Sequence, residues 1–98
     1  MSTHAPDPLA VVRAYLREHF PAGRLEEPAT QGATHRIDVV TNVRRYRLFV
    51  AADLLATESG DALAARCHAE AVAWRLADTG RLLLTRAGAT RPAPDFDG

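Results

Sequence analysis

The sequence has no lysine, and in 98 residues it has only one cysteine, Cys67. A lone cysteine excludes a disulfide within the chain. That fits a reducing compartment. Aromatic residues make up only 6%. No apolar run approaches the ~18 residues a membrane-spanning helix needs. The opening "MSTHAPDP" lacks the basic start and apolar stretch of a secretory signal. A cytoplasmic chain with no membrane partner is therefore expected. A charge excess is missing too, since twelve basic residues balance twelve acidic ones. Nucleic-acid-binding domains usually have pI above ~9, and the value near 6.9 disfavours nucleic acid as partner. No phosphate loop, dinucleotide fingerprint or nucleophile elbow is present.

All twelve basic residues are arginine, and alanine is abundant. Codons for both are GC-rich, so a GC-rich bacterial genome is the expected source. The arginine excess is then partly a codon effect.

What is present reads as one small domain over residues 1–88, with a Pro-rich polar tail, 89–98, expected to be disordered. "DPLAVVRAYLREHF" places Leu9, Val12, Leu16 and Phe20 at helical spacing. Asp7 suits the N-cap and Pro8 the first turn, so a helix is expected over 8–19. Residues 21–34 read as a long loop, with a short extended piece possible around Leu25. "HRIDVVT" and "RRYRLFVA" both alternate around a turn at Asn42 and Val43. The register then sets Val40 opposite Arg45, Asp38 opposite Arg47 and Ile37 opposite Leu48. Ile37, Val39, Tyr46, Leu48 and Val50 share the core face. One helical turn is expected over 53–56. A long helix over 61–79 follows, capped by Ser59 and ended by Gly80. "RLLLTRAG" supplies a buried strand parallel to its predecessor. The expected fold is α+β: a two-layer α-β-β-α-β unit, with a three-stranded mixed sheet and two helices on one face.

The expected long helix has two apolar sides. Leu63, Cys67, Ala71, Trp74 and Ala77 share one. Ala65, Ala69, Val72 and Leu76 lie opposite. A helix on one sheet needs a single apolar stripe. The second stripe points to a partner, either the first helix of the same chain or the same helix of a second copy, and if copies pair a two-fold homodimer is the default. Val40 and Phe49, on the sheet's outer face, are further candidates for a protein contact. The runner-up function, nucleic-acid binding, would use Arg36, Arg44, Arg45 and Arg47. A third reading is a small-molecule pocket near Tyr15, Tyr46 and Trp74.

Catalytic and metal-binding chemistry find little support. Cys67 and His68 are adjacent, so on a helix they point ~100° apart and do not share an ion easily. Cys67 sits on an apolar side, where burial keeps a thiol neutral. His19 and His35 read as bordering the core, and Glu26-Glu27 as solvated loop carboxylates. No catalytic residue, metal or cofactor is assigned. The chain reads as a protein-interaction module and not an enzyme.

Overall fold

The computed structural model describes residues 7–28 and 32–96. Helix α1 (Pro8–His19) begins at the fixed φ of Pro8 and buries Val12, Tyr15 and Leu16. Asp7 precedes it without a side-chain capping bond. Strands β1 (Arg24–Glu26), β2 (Thr34–Val40) and β3 (Arg45–Ala51) follow, then helix α2 (Ala52–Thr57). Helices α3 (Gly60–Ala69) and α4 (Val72–Thr79) lead into β4 (Arg81–Thr85) and β5 (Gly88–Thr90).

The class is α+β, but among the described residues the sheet has five strands in the order β1-β2-β3-β4-β5, not three. The two additions are edge strands of three residues each. That is too short for alternation to show in sequence. Their partners fix them: Leu25 lies opposite Val39, and Ala89 opposite Leu84. The boundary at residue 89 thus falls inside β5, and residues 97 and 98 lie outside the described part.

The central hairpin has the expected register, with Val40 opposite Arg45, Asp38 opposite Arg47 and Ile37 opposite Leu48. Its loop closes through Thr41, whose N–H donates to the Arg44 carbonyl at 2.9 Å. β3 and β4 pair in parallel, Leu48 beside Leu82 and Val50 beside Leu84. Alternation puts Ile37, Val39, Leu48, Val50, Leu82 and Leu84 on one sheet face, where all are buried against the helices. β4 is an interior strand, so its leucines are not an exposed edge. The edge on that side, β5, is blunted. Ala89 N–H donates to Glu70 at 2.8 Å, and its carbonyl accepts from Arg75 at 3.0 Å. Edge groups satisfied by side chains cannot recruit another strand.

The long helix expected over 61–79 is two helices. Ala71 breaks it with φ 51 and ψ 47, in the left-handed region. The reason lies in the two apolar stripes. At ~100° per residue, one straight helix would turn Leu63 and Cys67 roughly opposite to Val72 and Leu76. One sheet cannot cover both. The break re-phases the second half, so Leu63, Cys67, Val72, Ala73 and Leu76 all enter the same core. Gly80 ends α4 at φ 77, a conformation glycine takes without steric cost.

Candidate functional site

The break decides which side chains remain outside. Val72 and Leu76, expected on an interaction surface, are fully buried in the chain's own core. Ala65 and Ala69 are exposed on α3 but present only methyl groups, beside the Arg66–Glu58 pair at 2.6 Å. Trp74 goes the other way. Expected on the Leu63 side, it is 82% exposed. Its indole forms one wall of a cleft of about 290 Å³ between the end of α1 and α4, whose other lining residues are His19, Phe20, Ala73 and Ala77. Arg75 and Asp78 border the indole on its other side.

Polar and aromatic contacts hold this region in place. α4 starts at a left-handed alanine and has no cap from its own sequence. The buried Tyr15 hydroxyl supplies one, accepting from Ala73 N–H at 2.9 Å. Burial pushes the Tyr15 hydroxyl pKa up, against the opposing effect of the Ala73 bond. The rings of Tyr15, His19 and His68 gather with centroids 4.5–6.1 Å apart. Phe20 packs on Tyr46 at 5.3 Å, and the Arg44 guanidinium lies 5.2 Å from the Tyr46 ring. Of Tyr15, Tyr46 and Trp74, expected together around a small-molecule pocket, this cleft takes in Trp74 alone. Tyr15 is buried in the core, and Trp74 stands outside it.

The outer face of the sheet carries the arginines. Asp38, opposite Arg47 as expected, is 0% exposed. Its carboxylate instead takes two bonds from Arg36 at 2.8 Å and one from Arg45 at 2.7 Å. Burial pushes the Asp38 carboxyl up, but the Arg36 and Arg45 bonds prevail and hold it below the usual range. Arg45 also reaches Glu26 at 3.0 Å. Phe49, expected as an outward contact residue, is fully buried, with the Phe96 ring edge-on at 4.9 Å. Arg81 fastens that covering segment by donating to the carbonyls of Ala93, Pro94 and Phe96. Val40 is half-buried. Phe49 is therefore closed to a stacked base, and Arg36 and Arg45 are already bound to carboxylates.

Sequence reasoning also missed Glu27. It is half-buried, taking two bonds from Arg13 at 2.6 and 2.8 Å, with His35 Nε2 at 2.8 Å. The Arg13 bonds outweigh burial and hold its carboxyl at about 2. His19 is exposed, and His35 is half-buried. Cys67 is buried, and burial raises its pKa to about 11, so the thiol stays neutral. Among the described residues no group of three His, Cys, Asp or Glu could hold a metal ion, and no helix is long and apolar enough to cross a membrane. No protein-family model, curated protein or solved structure matches the chain.

Proposed function

We propose that this protein is an interaction module that pairs with a second copy of itself, and that Trp74 is the centre of the contact. The observation that carries this reading is an indole 82% exposed at the wall of an apolar cleft of about 290 Å³. Knob and hole lie on the same surface. A two-fold axis passing near them seats each Trp74 against the partner's Phe20, Ala73 and Ala77. Tryptophan is the residue type most enriched at the energetic centres of interfaces.

Magnitudes set the strength. Burying one exposed indole contributes roughly 4 kcal/mol at ~25 cal/mol per Å². Two come to roughly 8 kcal/mol, against ~4–15 kcal/mol for association. The indoles alone barely hold a dimer, so Phe20 and Ala77 must contribute, and a dissociation constant near micromolar is expected. Sedimentation equilibrium tests it. The protein should reach dimer mass at high micromolar concentration, and Trp74→Ala should remain a monomer with an unchanged fold. A wild-type monomer throughout would end this reading.

A second reading, nucleic-acid binding by the outer sheet face, draws on one observation. Register places Arg24, Arg36, Arg45, Arg47 and Arg81 there, against Glu26 and Asp38. Phosphate contacts require such an excess. Salt-dependent retention on heparin, lost in Arg24→Ala/Arg47→Ala, would support it.

A further inference from the structure

A second recess lies on the outer side of the sheet, where β2 begins and β3 and β4 end. It holds about 420 Å³ and is lined by Thr34, Ala51, Asp53, Leu83, Thr85 and Phe96, among others. Register explains the set. Thr34 pairs with Ala51, and Leu83 lies beside Phe49, so alternation turns Thr34, Ala51, Leu83 and Thr85 outward. Phe96, seated on Phe49, walls one side. The volume falls in the ~300–1,000 Å³ range of small-molecule pockets.

The walls are mainly hydrocarbon, with one polar atom left over. Thr34 is 7% exposed. Among the described residues its hydroxyl is the one buried side-chain polar atom without a hydrogen-bond partner. Buried hydroxyls are nearly always satisfied, because an orphan destabilises the fold. Valine would fill the same space without that cost. The other polar groups of the pocket differ from it. The Thr85 hydroxyl already accepts from Ala87 N–H at 3.1 Å. The Asp53 carboxylate is exposed, with Arg86 at 3.9 Å. A carboxylate there repels anions and holds a cation outside, away from Thr34.

We propose that this recess binds a small uncharged molecule with an apolar body and a single hydroxyl or carbonyl, whose oxygen pairs with the Thr34 hydroxyl. The proposal is independent of the dimer, which uses the opposite layer of the molecule.

Amide chemical-shift titrations with benzyl alcohol, toluene and benzoate test it. Benzyl alcohol should shift Thr34, Asp53, Leu83 and Thr85 saturably. It should bind about 3–10-fold more tightly than toluene, the worth of one hydrogen bond. Benzoate should bind more weakly than either. Thr34→Val should melt no lower than the wild type and should erase the preference for alcohol while still binding toluene. Ala52→Phe, at the exposed rim, should block both ligands. Absence of saturable shifts, shifts clustered elsewhere, tighter binding of benzoate, or an alcohol preference that survives Thr34→Val would each overturn the assignment.

Discussion

The hydroxyl of Tyr15, on α1, caps α4 by accepting from Ala73 N–H at 2.9 Å, across 58 residues of sequence. A helix start normally takes its cap from its own N-cap side chain. Here the N-cap is Ala71, which has nothing to offer. The tyrosine therefore stabilises the break, and the break puts Trp74 outside. Tyr15→Phe keeps the ring and strands a buried N–H. It should cost about 1–3 kcal/mol in urea unfolding. Its effect on dimerisation should exceed that of a core change of equal cost far from α4.

Ala71 itself gives the opposite sign. A non-glycine residue in the left-handed region is strained by roughly 1 kcal/mol. Ala71→Gly should raise stability by about that amount, less whatever the freer unfolded chain regains. Ala71→Val should lower it by more, since β-branched residues resist positive φ. Thermal melts of the three proteins check both signs.

Carboxylates should govern the acid limb of stability. The Glu27 pKa is depressed to about 2 by Arg13 and His35, and that of Asp38 is depressed by Arg36 and Arg45. A lowered folded-state pKa contributes stability that is complete above the ordinary carboxylate value of ~4. It is lost as pH falls through the folded value. Urea midpoints should therefore hold steady near neutrality and drop steadily between about pH 4 and pH 2. Glu27→Gln should lower stability at pH 7 by about 2 kcal/mol, after discounting for partial solvent screening, and flatten that drop.

The β5 edge is guarded by Glu70 and Arg75, which occupy both backbone groups of Ala89. Glu70→Ala should cost about 1.5–3 kcal/mol, the worth of a bond to a charged acceptor. It should also raise aggregation on heating, because the edge N–H becomes available to another chain. Light scattering during a melt reads this out.

What could be read beforehand was local. Alternation in "RIDVV" and "YRLFV" fixed the hairpin, its register and its core face. The helical spacing of Val12 and Leu16 fixed α1. The break at Ala71 has no glycine or proline to mark it, so periodicity ran straight through. Its signal was present in another form. Leu63 with Cys67, and Val72 with Leu76, fall on opposite sides of one continuous helix, and a single sheet cannot bury both. Reading that conflict as a missing partner put Val72 and Leu76 on an interface. A break satisfies them within the chain. Phe49 was misplaced for a similar reason. Its cover, Phe96, comes from a Pro-rich stretch with no periodicity, held by Arg81 bonds to backbone carbonyls that no sequence pattern announces.

Trp74 is the one tryptophan in the chain, so its fluorescence reports on the proposed contact without any label. Emission should be blue-shifted at high micromolar concentration, as the indole leaves water in the dimer. It should move to the red of a hydrated indole on dilution, along the same curve as the loss of dimer mass. A hydrated emission that stays unchanged at every concentration would contradict self-pairing through Trp74.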